Sequence, residues 1–255
     1  MEPQFRFAEW QNEGQTVRGS LLLCNQGQSP WVIFCHGYTG HRIGPGFLFV
    51  KISKALTNLG ISSLRFDFRG SGESDGTFHE QTLPVMFSDL VSATLYVTSN
   101  FKPASLILAG HSFGGLVSAI GASALKTDGL VLLSPVADLN KRVAELNWLA
   151  QRGPNSQGLY EYGPHEISPT FVEKLTGFDP KKSVCSFKGP LLVVHGEKDE
   201  IIPFQESQMY MDWAQNCGLD ATLHPIPGAD HNYTSVPFVK ETIQVVCSWL
   251  KEHFE

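Results

Sequence analysis

Short apolar runs recur along the chain and are separated by more polar stretches. Runs of about four to eight apolar residues are typical of strands that are buried on both faces of a sheet. Such runs occupy residues 31–35, 61–68, 105–109, 130–133, 191–194 and 221–226. Residues 5–10 and 16–24 precede them and resemble a leading hairpin. We therefore expect strands at these positions.

Helix-like stretches lie between the apolar runs, at residues 47–59, 86–97, 116–125 and 204–214. The last part of the chain places Val239, Ile243, Val246 and Leu250 on one face at helical spacing. Apolar strands that alternate with helices favour a parallel sheet covered on both faces. The sequence therefore predicts the α/β class, with a mainly parallel central sheet flanked by helices.

One segment, residues 136–180, interrupts this alternation. It contains Gly-Pro steps at 153–154 and 163–164 and no strong strand pattern. Its aromatic residues are Trp148, Tyr160, Tyr162 and Phe171. We interpret it as a short lid insertion over the carboxyl edge of the sheet, within a single domain that spans residues 1–255.

Composition and charge narrow the classes of function. An apolar fraction of 42% and a charged fraction of 17% are those of a globular protein with a substantial core. A net charge of -6 provides no basic face for a nucleic acid. The N-terminus lacks the pattern of a signal peptide, and no apolar run approaches the roughly 20 residues that cross a bilayer. We therefore expect a cytoplasmic protein with no membrane span and no nucleic-acid partner.

The five cysteines are scattered and form no C-x-x-C pair. An odd number without paired spacing argues against a disulfide framework and against a structural zinc site. We expect them to be buried or half-buried free thiols.

Residues 110–114 read Gly-His-Ser-Phe-Gly, a G-x-S-x-G pentapeptide between a predicted strand and a predicted helix. In this setting a sharp turn exposes the serine hydroxyl, and small flanking residues allow the backbone to approach closely. The helix N-terminus also favours developing negative charge. Ser112 is therefore the predicted nucleophile.

A serine hydroxyl needs an imidazole to accept its proton. His231 lies between the last strand and the last helix, at the edge where Ser112 also lies. Four other histidines lie at strand ends, in the pentapeptide or within a strand, which suits structural or supporting roles; they are His36, His111, His195 and His224. We predict His231 as the general base.

The imidazole in turn needs a carboxylate to orient it. Asp199 follows the apolar run at 191–194, at the same edge of the sheet. Glu197, Glu200 and Asp138 are alternatives near the same edge. The chain order Ser112, Asp199, His231 is the order expected for this kind of sheet.

An acyl-transfer intermediate also needs two donors for its oxyanion. We predict the backbone N–H of Phe113, next to the nucleophile, and that of Tyr38. Tyr38 lies in the loop that reads His-Gly-Tyr-Thr-Gly at residues 36–40, directly after a predicted strand.

These motifs together resemble the α/β-hydrolase superfamily. The residues that carry the resemblance are 36–40, the Asp-Phe-Arg-Gly-Ser-Gly stretch at 67–72, 110–115, His-Gly-Glu-Lys-Asp at 195–199, and Asp230 with His231. Within the superfamily the chain is most similar to small bacterial cinnamoyl (feruloyl) esterases. The resemblance implies a serine esterase that needs no cofactor or metal and acts on small or medium acyl esters or aromatic esters. We interpret residues 67–72 as a structural turn.

The expected reaction forms an acyl-enzyme on Ser112, which water then hydrolyses. Trp148, Tyr160 and Tyr162 of the insertion are candidate substrate-binding residues. A thioesterase, a monoacylglycerol lipase and an oligopeptidase-like acyl hydrolase use the same triad, and the fold does not separate them. A binding protein that keeps the fold without activity is a further alternative, as is cofactor-free oxidation or C–C cleavage on the same scaffold.

Overall fold

The computed structural model of this chain describes residues 3–24 and 28–254, without the side chains of residues 148–150. Its strands are β1 (Gln4–Asn12), β2 (Gln15–Leu23), β3 (Trp31–Cys35), β4 (Ser62–Asp67), β5 (Leu106–His111), β6 (Gly129–Leu133), β7 (Tyr160–Tyr162), β8 (His165–Ile167), β9 (Leu191–Gly196) and β10 (Ala221–Ile226). Its helices are α1 (Leu48–Thr57), α2 (Leu83–Phe101), α3 (Phe113–Ala124), α4 (Leu139–Gln151), α5 (Pro169–Leu175), α6 (Pro180–Ser186), α7 (Phe204–Cys217) and α8 (Val236–Phe254). Two 3-10 turns lie at Pro45–Phe47 and Phe78–Glu80.

Within the described residues, eight strands form one sheet in the order β1-β2-β4-β3-β5-β6-β9-β10. Strands β1 and β2 pair with their neighbours in antiparallel fashion, and the pairs from β4 to β10 are parallel. The leading hairpin and the mainly parallel sheet are both confirmed. Strands β7 and β8 form a separate hairpin.

Each face of the sheet has its own apolar core because neighbouring side chains on a strand point to opposite faces. On β3, Ile33 and Cys35 belong to one cluster, whereas Val32 and Phe34 belong to the other. Residues of α2, α3, α6 and α7 pack into the first cluster, and residues of α1 and α8 pack into the second. Strands β3, β5, β6 and β9 are therefore apolar at nearly every position, which explains their continuous apolar runs.

The parallel strands β3, β5, β6, β9 and β10 end at one edge of the sheet. Polar loops follow them there, because backbone and side-chain polar groups cannot be left unpaired in the core. The loops that carry Tyr38, Ser112, Asp199 and His231 all leave from this edge.

Helix α8 carries the apolar stripe that its sequence predicts. Val246 and Leu250 are fully buried, and Val239 and Ile243 pack partly buried against the same cluster. Charged residues occupy the other face of this helix. Among the helices of the described residues, none combines the length and the apolar character that a bilayer crossing needs.

The chain between β6 and β9 contains more regular structure than its sequence pattern suggests. It forms α4, the β7–β8 hairpin, α5 and α6. The start of the segment is fastened to α7, where Glu206 accepts hydrogen bonds from Ala137 N at 2.7 Å and Asp138 N at 3.1 Å. Tyr210 Oη also donates to Val136 O at 2.7 Å. That residues 136–180 act as a lid within a single domain stays a prediction.

A buried carboxylate joins the turn after β4 to the loop after β3. The side chain of Asp67 is fully buried and accepts hydrogen bonds from Arg42 N at 2.6 Å and Glu73 N at 3.1 Å, and it pairs with the Arg42 guanidinium. Gly72 has φ +55°, and a Cβ there would meet the Asp67 carboxylate at 2.2 Å. These contacts are those of a structural turn, and they hold the loop that carries Tyr38.

The expectation of five free thiols is wrong for one pair of cysteines. Cys185 at the end of α6 and Cys217 at the end of α7 form a disulfide, with their Cα atoms 5.3 Å apart. The packing of α6 against α7 brings them together across 32 residues, and local spacing contains no sign of this. Cys24, Cys35 and Cys247 are thiols.

Reduction of the Cys185–Cys217 bond should lower the free energy of unfolding. Because the bond closes a loop of 32 residues, chain-entropy arguments give an effect of about 3–4 kcal/mol. Urea unfolding with and without a reducing agent measures it. The Cys185→Ser/Cys217→Ser double variant should be insensitive to the reductant, whereas Cys247→Ser should respond as the natural chain does. An unchanged unfolding midpoint after reduction would show that the two thiols are not paired.

Candidate active site

Ser112 lies on a sharp turn between β5 and α3. Its backbone has φ 56° and ψ −122°, a conformation that non-glycine residues rarely adopt. Because α3 begins at Phe113, the first amides of that helix have no acceptor within the helix. The predicted nucleophile therefore lies on strained backbone at the N-terminus of a helix, a setting that favours an anion.

The glycines on either side of Ser112 are required by close backbone packing. A Cβ at Gly110 would lie 2.2 Å from Gly114 O, and a Cβ at Gly114 would lie 2.2 Å from Cys35 O. A side chain at Gly110 would therefore push α3 away from β5, and one at Gly114 would push α3 away from β3. This is the physical reason for the small residues in the pentapeptide.

Asp199 and His231 meet at the edge of the sheet. Asp199 Oδ2 lies 2.7 Å from His231 Nδ1, and Asp199 Oδ1 accepts hydrogen bonds from Ile201 N and Ile202 N at 2.9 and 2.8 Å. Burial acts to raise the pKa of Asp199, but the hydrogen bonds from His195 and His231 outweigh it and hold that pKa well below its usual range. Asp199 is therefore ionised and oriented toward the predicted base.

The alternative acids lie elsewhere. Glu197 and Glu200 are exposed. Asp138 Oδ1 accepts a hydrogen bond from Lys141 N at 2.9 Å and so caps the start of α4. Among these carboxylates, Asp199 makes the contact with His231.

Backbone contacts fix the loop that carries His231. Lys198 N donates to Ala229 O at 2.8 Å, which joins this loop to the loop of Asp199. Tyr233, fully buried at φ 53°, donates from its hydroxyl to Val194 O at 3.0 Å. His111 Nε2 lies 2.9 Å from His231 O and must donate to it, because a carbonyl only accepts. Burial and the neighbouring His231 lower the pKa of His111 to about 3, which keeps His111 neutral.

The loop after β3 forms a tight turn against Ser112. Gly40 N donates to Gly37 O at 3.0 Å, and Thr39 within the turn has φ 63°. A Cβ on Gly37 would come 3.1 Å from Ser112 Cβ, so this turn packs directly on the predicted nucleophile. The loop that carries Tyr38 and the start of α3 therefore both adjoin Ser112.

His36 stabilises that turn through two hydrogen bonds of its ring. Its Nε2 accepts a hydrogen bond from Phe68 N at 3.1 Å, so Nδ1 carries the proton and donates to Gly37 O at 2.8 Å. Burial lowers the pKa of His36 to about 4. The neutral ring thus connects the loop after β3 to the turn after β4.

A cavity of about 810 Å³ opens over Ser112 and His231. Five of its lining residues are apolar and buried: Phe113, Val136, Phe171, Leu175 and Ile202. Four other lining residues, all in the segment between β6 and β9, are charged: Arg142, Glu145, Arg152 and Glu161. The cavity that Ser112 lines thus presents both apolar and charged groups.

The aromatic residues proposed for substrate binding differ in their position. Tyr162 lines the cavity and is 40% exposed, with its ring centroid 6.0 Å from that of Tyr38. Tyr160 lies on the same short strand but is not among the described residues that line the cavity. The side chain of Trp148 lies outside the described residues.

Several cavity residues were not identified from the sequence. Arg142, Glu145 and Leu146 lie on α4, whose spacing of one turn between Arg142 and Leu146 places them on a common face. Phe171 and Leu175 have the same spacing on α5. Helical periodicity within residues 139–175 was the signal available, but the Gly-Pro steps obscured it.

Comparison with known proteins identifies a family and several relatives of this chain. The model of a hydrolase family described as serine aminopeptidase, S33, matches residues 28–172, more than half of the chain. A curated relative from Pongo abelii, palmitoyl-protein thioesterase ABHD10, mitochondrial, is 26% identical over 208 residues, which cover 78% of this chain and 66% of the relative. Lysophosphatidylserine lipase ABHD12 from Danio rerio is 27% identical over 222 residues, which cover 84% and 52%. The chain therefore spans less than two thirds of the length of these relatives.

Solved structures show the same fold over nearly the whole chain. Est1E from Butyrivibrio proteoclasticus, determined with ferulic acid bound, superposes with a TM-score of 0.83 at 23% identity, covering 96% of this chain and 98% of Est1E. The α/β-hydrolase domain-containing protein 10 from mouse superposes with a TM-score of 0.78 at 22% identity, covering 97% and 99%. The predicted α/β-hydrolase fold is confirmed.

We expect the free energy of unfolding to fall as the pH decreases from about 6.5 toward 4. The pKa values of His36 and His111 are about 4 and about 3 in the folded protein, below the ordinary value of 6.5. As the pH falls, these two histidines therefore become protonated in the unfolded chain at a higher pH than in the folded protein. Their contribution to the free energy of unfolding is fully present above pH 6.5 and is lost as the pH falls toward their pKa values in the folded protein. Each histidine contributes a slope of about 1.4 kcal/mol per pH unit.

Urea titrations at a series of pH values measure this dependence. His111→Gln should reduce the slope, whereas His79→Gln, at a partly exposed histidine, should leave it unchanged. An equal slope in His111→Gln and the natural chain would contradict the assignment of a neutral buried His111.

Proposed function

The chain belongs to the hydrolase family described as serine aminopeptidase, S33, and from this premise we propose that it is a serine hydrolase of carboxylic esters. Its substrates have small or medium acyl groups or aromatic, cinnamoyl-like acyl groups. Ser112 is the nucleophile, His231 the general base and Asp199 the residue that orients this base.

One observation carries the proposal. Ser112, on its strained turn, lines the same cavity as His231, and His231 is held by Asp199 at 2.7 Å. A binding protein has no need of a strained serine, an imidazole and an ionised carboxylate in this order. Strained backbone persists where the surrounding structure holds it in place, and such positions cluster at active sites.

The reaction follows from these contacts. His231 accepts the proton of the Ser112 hydroxyl while the oxygen attacks the ester carbonyl. Asp199 stabilises the imidazolium and fixes its tautomer through His231 Nδ1–H. The N–H groups of Phe113 and Tyr38 stabilise the oxyanion. The imidazolium then protonates the leaving alcohol, and a water activated by His231 hydrolyses the acyl-enzyme.

The lining of the cavity suggests how a substrate binds. The buried apolar residues Phe113, Phe171 and Leu175 suit an aliphatic or aromatic acyl group. The structure of Est1E, which has the same fold, contains ferulic acid, and this supports an aromatic acid as one such group. The charged lining residues suit a polar leaving group. We propose that the segment at residues 136–180 is a lid within a single domain, because it supplies the charged lining residues and some of the apolar ones.

Thioester hydrolysis is the second candidate. The observation in its favour is the similarity to palmitoyl-protein thioesterase ABHD10 over 78% of the chain. The same triad attacks both carbonyl types, so the leaving group must be tested directly. The cytoplasmic location stays a prediction from the sequence.

Ser112→Ala should lower kcat/KM for esters by at least about a thousandfold without loss of folding, because it removes the nucleophile. The measurement is a kinetic panel of p-nitrophenyl esters from acetate to palmitate, with methyl ferulate and an acyl thioester. Ser123→Ala, on the same helix α3, is the matched control and should retain activity. A fluorophosphonate should label the natural chain and not Ser112→Ala. Activity of Ser112→Ala near that of the natural chain would exclude the proposal.

Asp199→Asn should lower kcat by about ten-thousandfold, because an amide no longer fixes the required tautomer of His231. Glu200→Gln, at the exposed neighbour, should leave kcat unchanged. Retention of most activity in Asp199→Asn would mean that another carboxylate orients the base. Steady-state kinetics with p-nitrophenyl butyrate distinguishes these outcomes.

A further inference from the structure

Two imidazoles share one oxygen of Asp199. His231 Nδ1 lies 2.7 Å from Asp199 Oδ2, and His195 Nε2 lies 3.0 Å from the same atom. His195 is fully buried at the end of β9, four residues before Asp199. The reaction described above assigns no role to His195.

The hydrogen-bond partners of His195 determine which of its ring nitrogens carries the hydrogen. Its Nε2 faces two acceptors, Asp199 Oδ2 at 3.0 Å and Ile202 O at 2.9 Å, and therefore carries the hydrogen. Its Nδ1 lies 2.5 Å from Ser207 Oγ. In the neutral ring Nδ1 is an acceptor, so the Ser207 hydroxyl donates to it. The tautomer is assigned from these contacts.

We propose that His195 is a positioning residue for the reaction: its Nε2–H donates to Asp199 Oδ2 and so limits how strongly this oxygen stabilises the protonated form of His231. The inference rests on the proposed function of Ser112, Asp199 and His231. Ser207, in the first turn of α7, donates to the other nitrogen of this ring, Nδ1, whereas Asp199 Oδ2 and Ile202 O accept from Nε2–H.

The second oxygen of Asp199, Oδ1, holds the carboxylate in its orientation independently of His195. Oδ1 is held by Ile201 N and Ile202 N, so the carboxylate keeps its orientation without His195. The loss of His195 Nε2–H therefore leaves the carboxylate in place but concentrates its negative charge on the oxygen that faces His231. A carboxylate with fewer donors stabilises a neighbouring imidazolium more strongly. His231 would then become protonated, and inactive as a base, at higher pH.

Other titratable groups around this cluster do not provide the same contact. The His111 ring lies 4.7 Å from that of His231 and bonds to its backbone oxygen. Asp230 bonds to Thr234. The hydroxyl of Tyr233 bonds to Val194 O and lies 3.0 Å from Ser134 Oγ. Glu206, beside Ser207, bonds to the start of the segment after β6. A change at His195 thus acts on His231 through Asp199.

Two conservative substitutions each retain one hydrogen bond of His195 and remove the other. The amide of Gln in His195→Gln reaches the position of Nε2 and can still donate to Asp199. The shorter amide of Asn in His195→Asn reaches the position of Nδ1, where it can pair with Ser207 but not with Asp199. Both variants keep a polar group in the buried site, and thermal unfolding verifies that each one folds.

The experiment measures kcat/KM for p-nitrophenyl butyrate against pH. We expect the midpoint of the acid limb to move upward by roughly 0.5 to 1 pH unit in His195→Asn and to stay near that of the natural chain in His195→Gln. Ser207→Ala, which keeps the Nε2–H, should also leave the midpoint in place. Equal midpoints in all four proteins, or equal shifts in both His195 variants, would overturn the proposal and leave His195 a structural role.

A second measurement does not depend on turnover. The ring protons of His231 can be titrated by NMR in the natural chain and in both His195 variants. The same upward shift in His195→Asn alone supports the inference even if no ester is hydrolysed, and its absence overturns the inference. If a fluorophosphonate does not label the natural chain, this contradicts the proposed function instead. Failure of the inference about His195 and failure of the proposed function are therefore distinguishable.

Discussion

The parallel alignment of β3, β5, β6, β9 and β10 is the constraint on which the candidate site depends. Both faces of this sheet are covered by helices, so the strands are apolar and contribute almost no polar side chains between their ends. Because the strands run in one direction, their carboxyl ends meet at one edge. Residues far apart in sequence, such as Ser112 and His231, therefore line one cavity.

Several residues at this edge have strained backbone. Thr39, Ser112, Ser134 and Tyr233 all have positive φ values, between 44° and 63°. Each such residue costs on the order of 1–3 kcal/mol, which the surrounding packing must offset. Buried hydrogen bonds fasten the same loops, as in the contact of 3.0 Å between the hydroxyls of Ser134 and Tyr233. The edge is thus rigid and strained, as a preorganised site requires.

Neutral, buried histidines stabilise the loops of the site by hydrogen bonds to their backbone. His36 and His111 bond to backbone groups on either side of Ser112, and burial lowers the pKa of both. The ionised Asp199 accepts hydrogen bonds from four N–H donors, those of His195, His231, Ile201 and Ile202. The rings of His36 and His111 and the carboxylate of Asp199 each have hydrogen-bond partners, so the loss of one of these groups leaves another unpaired.

Local sequence was sufficient to predict the strands of the eight-stranded sheet, the crossover helices and the pairing of Asp199 with His231. Apolar runs and helical spacing are short-range signals, and β3 begins and ends where its run does. The glycines around Ser112 and the strand-end positions of Asp199 and His231 also follow from local pattern and the direction of the sheet. Contacts between distant segments were decided by the tertiary structure: the Cys185–Cys217 bond, the position of Arg142 and Glu145 of α4 at the cavity, and the donation from His195 to Asp199. These depend on how helices and loops pack in three dimensions, where the distance between two side chains has no counterpart in their spacing along the chain.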